Sequence, residues 1–344
     1  MTTSLTFRLP RLDDTFAVFP DKGVNPHFSE CRRQSREWVD KYTEIAFGPK
    51  MCAFLRNCNL ELVAAYAYPD AKPDGLRAAM DYLNIAWVFD EFTDDLSGKE
   101  AIQAAAVATR TLRDRDFDDG SWVCHILTDY RLNHIDKFGS NVALRFIDHL
   151  CQSFGQTGAE AELREKNQVL NLDSYISLRR STVAVRVVFD LVEYCLGLNL
   201  PQYVHEDPVF ISAYLAAVDV IAWTNDLASY DMEQAKGHSG ANIVTVVMKS
   251  KGINLQSAVD FIAGYCECLT QQFICAKADL ASRTDPVFSK DSVRCLDAFG
   301  DWVRGNDEWN FVTERYFGQR NTLVKETRVV ELRKPFEDVV LSTE

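Results

Sequence analysis

Between Pro73 and Pro201, and again between Pro208 and Pro286, the chain contains no proline. Proline lacks the amide hydrogen that a helix interior needs, so long proline-free runs leave helices free to extend. These runs are rich in Ala, Leu, Glu and Arg, which lose little side-chain freedom in a helix. Regular apolar alternation bounded by hairpin turns is missing. The patterning predicts helices near 36–48, 59–68, 76–96, 100–112, 120–137, 141–164, 168–199 with a break inside, 207–233, 241–249, 255–281 and 288–316. No linker divides the middle. The expected fold is therefore all-α, one domain over 1–344, with an irregular N-terminal strap at 1–30 carrying Pro10, Pro20 and Pro26, and a C-terminal tail at 320–344. The stretch "VFISAYLAAVDVIAW" at 209–223 is apolar most of the way round a helix, so it belongs inside a bundle or along an apolar cavity.

Charge narrows the partners. A formal net charge of −13 makes nucleic acid or an anionic membrane surface a poor match. No uncharged apolar run long enough for a membrane span is visible. The opening "MTTSLTFRLPRLDDTF" carries charges throughout, unlike a secretory leader. The ten cysteines include no CxxC pair, which points to reduced thiols and a cytoplasmic protein. An anionic substrate would need a local reversal of the acidic field, and a bound divalent metal supplies one.

Two stretches offer that reversal. Residues 87–95 read "WVFDEFTDD". On a helix, Asp90 and Asp94 share a face, and Glu91 and Asp95 form the neighbouring row that adds to the field. Acids in a last turn oppose the helix dipole by only a few tenths of a kcal/mol, so a solvated acidic end is also allowed. Residues 223–233 read "WTNDLASYDME", placing Asn225, Ser229 and Glu233 at i, i+4 and i+8 on one face. Amide, hydroxyl and carboxylate oxygens are hard donors that suit Mg²⁺ or Mn²⁺ rather than zinc. A polar stripe on a surface helix is the bland alternative. Both stretches, however, follow an apolar run, as two walls of one pocket with metals at its rim would.

These residues resemble a known family. "DEFTD" at 90–94 resembles the DDxxD-type motif of class I terpene synthases, and "NDLASYDME" resembles their Asn-Asp-x-x-Ser-x-x-x-Glu triad. Arg179 stands where the family carries a pyrophosphate-sensing arginine. Arg315-Tyr316 matches its C-terminal Arg-Tyr pair, and Trp309 a recurrent active-site aromatic. The resemblance covers roughly residues 20–320. "FRLP…NPHF" and "ANIVTVVM" look like fungal, basidiomycete-type sesquiterpene synthases. The chain departs from the pattern at Glu91, the second acid of the motif. It departs again at Thr182 and Val183, where many relatives have an acid or threonine followed by glycine.

The resemblance implies a helical bundle around a central apolar cavity, and Mg²⁺-dependent ionisation of a prenyl diphosphate. The expected cofactor is three Mg²⁺, with Mn²⁺ as a substitute. The expected substrate is farnesyl diphosphate, converted to a sesquiterpene hydrocarbon or alcohol plus pyrophosphate. Asp90, Asp94, Asn225, Ser229 and Glu233 would ligate metal. Arg179, Lys236, Arg315 and Tyr316 would bind the diphosphate. Trp87, Phe89 and Trp309, with Thr182 and Val183, would line the cavity and stabilise cations. Asp90 and Arg179 would carry the catalytic step, and the loop "KGHSGAN" at 236–242 would order over the diphosphate. The alternatives are an acyclic nerolidol- or linalool-forming enzyme and a chain-elongating prenyl transferase. The Asn-Ser-Glu triad speaks against the latter. A monomer or homodimer is expected.

Overall fold

The structure is a computed structural model that describes residues 5–94, 96–166 and 168–335. Asp95 and the last nine residues of the expected tail lie outside the described residues. After a short strand β1 (Thr6–Arg8) and a single turn α1 (Asp13–Phe16), the chain is helical almost throughout. The first half holds α2 (Phe28–Ala46), α3 (Pro49–Cys58), α4 (Leu60–Ala67), α5 (Pro73–Asp94), α6 (Gly98–Arg113), α7 (Trp122–Asn133) and α8 (Ser140–Glu165). The second half holds α9 (Leu172–Thr182), α10 (Val185–Leu196), α11 (Gln202–His205), α12 (Pro208–Lys236), α13 (Ile243–Lys251), α14 (Leu255–Ala281) and α15 (Val293–Val312). The short helices α16 (Glu314–Phe317) and α17 (Asn321–Thr327) and the strand β2 (Val329–Glu331) complete the described chain.

Local chemistry sets the boundaries. Ser97 and Glu100 form a reciprocal capping box at the start of α6. Asp207 accepts from the amides of Val209 and Phe210, and Pro208 takes the first helical position of α12, where its missing amide costs nothing. Gly237 ends α12 with φ 80 and ψ 15. α12 is long and apolar enough to cross a membrane by length and composition, with mean hydropathy 1.3. Here it runs through the middle of the bundle, against α14 and α15. Small residues bring helices close: a Cβ at Gly305 of α15 would stand 2.8 Å from the Ala67 amide nitrogen, so α15 and α4 pack backbone to backbone there. One contiguous apolar core extends from Phe7 to Val330. Seven of the ten free cysteines are buried within the fold, as small apolar residues.

Several boundaries differ from expectation. α2 starts at Phe28, inside the expected strap, and α3 adds a helix between those expected near 36–48 and 59–68, with Pro49 at its first position. The helix expected over 288–316 stops at Val312, where Thr313 turns extended and caps a new short helix through its hydroxyl. The largest correction concerns the C-terminal tail. Residues 321–331 form α17 and β2, and β2 pairs antiparallel with β1, with Thr6 opposite Glu331 and Arg8 opposite Val329. Phe7 and Val330 point inward and are buried, which supplies the apolar anchor that a tail lacks.

Candidate active site

A cavity of about 450 Å³ opens between α5, α8, α9, α10, α12 and the segment 237–241. Its floor is apolar, with Leu83, Phe89, Leu150, Phe154, Val188 and Ile221. Its mouth carries the oxygen donors. Asp90 and Asp94 come from the last turn of α5, and Asn225, Ser229 and Glu233 from α12, all on the cavity wall. The ligand atoms of Asp90, Asp94 and Glu233 do not gather into one cluster. Among the described residues, the only such grouping is Asp118, Asp119 and Cys124, outside the cavity. Asp118 and Asp119 there accept from turn amides at Gly120 and Ser121, which accounts for their arrangement without an ion.

Each half has its own electrostatics. The Asp90 side chain is 59% exposed to the cavity. Enclosure in the cleft, and then its neighbours Asp94 and Glu91, push its carboxyl up to about 8, against the pull of Arg315. Water in the cavity softens the first effect, and the like-charge crowding remains. Asp94 goes the other way. Partial burial opposes its charge, but His238 and Arg164 outweigh that and hold it below the usual carboxylate range. Its Oδ1 accepts from Arg164 Nη1 at 3.0 Å, and its Oδ2 lies 3.7 Å from His238 Nδ1. Glu233 is raised by burial and then by Asp226, while Ser229, Asn242 and Arg179 pull it back. Crowded, partly neutralised oxygens of this kind are what a divalent cation would relieve. The donor set, all oxygen, fits such an ion.

The cations sit between the halves. Arg179 Nη2 donates to Asn225 Oδ1 at 2.9 Å, and its Nε donates to Asp226 Oδ1 at 2.9 Å. Burial opposes the Arg179 charge, and Asp226 overcomes it, so the guanidinium stays protonated. Arg315 Nη1 donates to the buried Glu91 Oε1 at 2.9 Å, with Asp90 Oδ2 3.9 Å from its Nη2. Tyr316 accepts from Asn225 Nδ2 at 2.8 Å. Glu91 thus anchors Arg315 rather than facing the cavity. Lys236 departs from expectation. It is off the cavity wall, with Nζ 3.5 Å from Glu91 Oε2, because α12 turns its last residue toward α5.

Of the aromatic residues, Trp87 and Phe89 line the cavity, with Phe89 4.4 Å from Phe154 between ring centroids. Trp309 does not, which corrects the expectation for it. It is fully buried behind Trp87 and Tyr316, in edge contact with both at 5.8 and 5.7 Å, and its indole nitrogen donates to the Asn59 carbonyl. That hydrogen bond draws the ring toward α4 and away from the cavity. Thr182 and Val183 are on the wall where α9 gives way to α10. The break is made by Ala184, which takes the left-handed conformation (φ 58, ψ 6) although it carries a Cβ.

The loop expected to order over the substrate is already folded across the mouth. Ser239–Ala241 forms a turn, and Gly237 through Ala241 line the cavity. Asn242 Nδ2 donates to the Asp226 carbonyl at 2.8 Å and to Glu233 Oε2 at 3.0 Å, and the Ile243 amide donates to Asp226 Oδ2 at 2.9 Å. Asp226 also accepts from the Tyr175 hydroxyl. Sequence reasoning missed Asp226, although it stands inside the triad motif. It also missed Glu160 and Arg164 of α8, both on the cavity wall. Ser153, Thr157, Glu160 and Arg164 make a polar row at helical spacing, but "QTGAEAELRE" reads as an ordinary solvated helix face.

Comparison with known proteins identifies the family. Residues 81–272 match the family described as terpene synthase family 2, C-terminal metal binding. A sesquiterpene synthase of Galerina marginata is 61% identical over 343 residues, covering 100% of this chain and 99% of the relative. The viridiflorene synthase Agr2 of Cyclocybe aegerita is 48% identical over 95% of this chain and 86% of its own length. Among solved structures, a hedycaryol synthase superposes with a TM-score of 0.76 at 23% identity, over 88% of this chain and 98% of that one. A linalool/nerolidol synthase from Streptomyces clavuligerus superposes with a TM-score of 0.77 at 19% identity, over 84% and 100%. At such identities these two speak for the fold alone. The fold, the matched metal-binding family and the fungal relatives agree: the chain belongs to the terpene synthases, as a fungal class I sesquiterpene synthase that ionises a prenyl diphosphate.

Proposed function

We propose that the substrate is farnesyl diphosphate, ionised with Mg²⁺ at the mouth of the cavity and converted within it to a sesquiterpene hydrocarbon or alcohol. The observation that carries this reading is the meeting of two environments in one cavity. Asp90, Asp94, Asn225, Ser229, Glu233, Arg179, Arg315 and Tyr316 gather at the mouth, above an apolar floor. A cavity of about 450 Å³ lies within the roughly 300–1,000 Å³ that encloses ligands of moderate size. Asp90 and Asp94 would hold metal from α5, and Asn225, Ser229 and Glu233 from α12. Bound Mg²⁺ would supply the positive charge that stabilises the departing diphosphate. Mn²⁺ has the same oxygen preference and would substitute.

Arg179 and Arg315 would grip diphosphate oxygens in the bidentate fashion that guanidinium favours. Tyr316 would add a hydrogen bond. Lys236 contributes to the field from beside Glu91. The apolar floor keeps water from the allylic cation, and Trp87 faces it with a ring able to contribute about 0.5–2 kcal/mol of cation–π stabilisation. We place the enzyme in the cytoplasm, as a single domain acting as a monomer or homodimer. Purified protein incubated with geranyl, farnesyl and geranylgeranyl diphosphates, with and without Mg²⁺, tests the reading by gas chromatography. A C15 volatile from the farnesyl substrate, formed only with metal, is expected. Absence of any metal-dependent product would overturn it. A longer diphosphate formed with added isopentenyl diphosphate would favour the prenyl transferase instead.

A further inference from the structure

The segment after the Arg315–Tyr316 turn reaches back to the metal-facing helix from behind. At Arg328 the chain turns through φ 60, and its guanidinium lies over the Phe311 ring at 4.0 Å and bonds Asp13. β2 then pairs with β1, and Arg333 enters the core. Arg333 is 8% exposed. Its amide donates to Asp231 Oδ1 at 2.7 Å, and its Nε lies 3.0 Å from Asp231 Oδ2. Its carbonyl accepts from Gln234 Nε2 at 2.9 Å. Its Nη2 donates to the carbonyl of Tyr316.

The position of Asp231 gives these bonds meaning. It stands two residues after Ser229 and two before Glu233, so it projects from the opposite face of α12 and is absent from the cavity wall. One arginine therefore holds the back of the helix that carries Asn225, Ser229 and Glu233, and also the backbone of the residue paired with Asn225. On the reading given above, these two elements must meet the same diphosphate at a fixed separation. A buried ion pair is a weak source of net stability, since desolvation consumes most of its attraction. Direction is fixed by the hydrogen bonds around it, from the Arg333 amide to Asp231 and from its Nη2 to the Tyr316 carbonyl.

We propose that residues 328–335 form a latch on the ionisation site, and that Arg333 is a positioning residue that sets α12 against the Arg315–Tyr316 turn. The proposal rests on the assignment of this site to diphosphate ionisation. The latch and a purely structural ion pair make different predictions once the buried charge is removed cleanly. In the double variant Arg333→Met with Asp231→Leu, both members of this pair are removed together, so the fold should persist with a melting temperature within about 3 °C of wild type. Its kcat with farnesyl diphosphate and Mg²⁺ should still fall about 10- to 100-fold, as small displacements of gripping groups do. KM should move less than about threefold. Arg333→Lys, which keeps the charge but not the forked geometry, should be intermediate.

A second readout does not depend on turnover: the rise in melting temperature that Mg²⁺ and pyrophosphate give the wild type should be at least halved in the double variant. A double variant with wild-type melting, kcat and pyrophosphate response would overturn the latch. So would a loss of kcat that merely tracks a loss of melting temperature across the variants. Wild-type turnover tests the site assignment separately. If the wild type makes no metal-dependent product, that assignment fails, and the pyrophosphate response still decides the latch.

Discussion

The Asn225 side-chain amide donates to the Tyr316 hydroxyl across 2.8 Å, joining the first residue of the α12 triad to the turn near the C-terminus. The same Asn225 accepts from Arg179 through its oxygen. A proposed metal ligand, a proposed diphosphate sensor and a proposed diphosphate donor thus form one hydrogen-bonded chain. A substrate gripped by any one of them would be felt by the other two.

Asp90→Ala and Asn225→Ala should each lower kcat by about 10²-fold or more, because each would remove a proposed metal ligand from the ionisation site. Far-ultraviolet circular dichroism should match wild type, since Asp90 is exposed to the cavity and Asn225 is only partly covered. Steady-state kinetics on matched preparations checks this, and wild-type turnover in either variant would remove that residue from the site.

Arg315→Met should destabilise the protein, by less than the about 3–5 kcal/mol that a wholly unpaired buried charge costs, because Glu91 loses its 2.9 Å partner but keeps Lys236 at 3.5 Å. Adding Glu91→Gln should recover much of that loss without restoring turnover. Urea denaturation followed alongside kinetics separates the two effects.

Trp87→Ala should change the product distribution, whereas Trp309→Phe should leave it nearly unaltered. Trp87 is on the cavity wall, and Trp309 stands behind it with its indole nitrogen held by the Asn59 carbonyl. Gas chromatography of the products is the check. A redistribution caused by Trp309→Phe alone, at unchanged melting temperature, would return that ring to the cavity.

Ala184→Gly should stabilise the fold by about 0.5–1 kcal/mol. The left-handed conformation costs an L-residue about 1–2 kcal/mol, and the greater freedom of unfolded glycine offsets part of the relief. Thermal denaturation measures it, and a destabilised variant would mean that the methyl group packs well enough to outweigh the strain.

Asp307 gives a pH dependence away from the site. Burial pushes its carboxyl up to about 7 from an ordinary 3.8, with Arg328 opposing and Asp13 and Glu308 adding. The native state therefore holds the proton more tightly than the unfolded chain. Stability falls as pH rises from about 4 to about 7 and levels off above that. Asp307→Asn should remove this slope, raising the melting temperature at pH 8 and leaving it nearly unchanged at pH 4.

The helical architecture and both oxygen-bearing motifs could be read from residue spacing, because a helix converts spacing of three and four directly into a shared face. Asp90, Asp94, Asn225, Ser229 and Glu233 do share one cavity mouth. What spacing cannot carry is the partner on another element. Trp309 sits at the expected position in the chain, but the Asn59 carbonyl, far away in sequence, decides where its ring goes. Lys236 turns to Glu91 for a similar reason. Glu160 and Arg164 were overlooked because a polar row on a long helix looks alike whether it faces solvent or a wet cavity mouth. The C-terminal strand was hidden because three residues of alternation are too few to signal pairing.

The pairing of Thr6 with Glu331 has a temporal consequence. During synthesis the first strand leaves the ribosome long before its partner exists, and nearly every other residue must be made in between. Closing that contact carries a loop entropy that prior folding of the intervening helices reduces. The ribbon should therefore be among the last parts to form. A chain that has not yet added β2 could build the cavity and both oxygen-bearing walls yet leave Phe7 uncovered. Quality control that recognises exposed apolar strands would then distinguish chains with the ribbon closed from chains with it open.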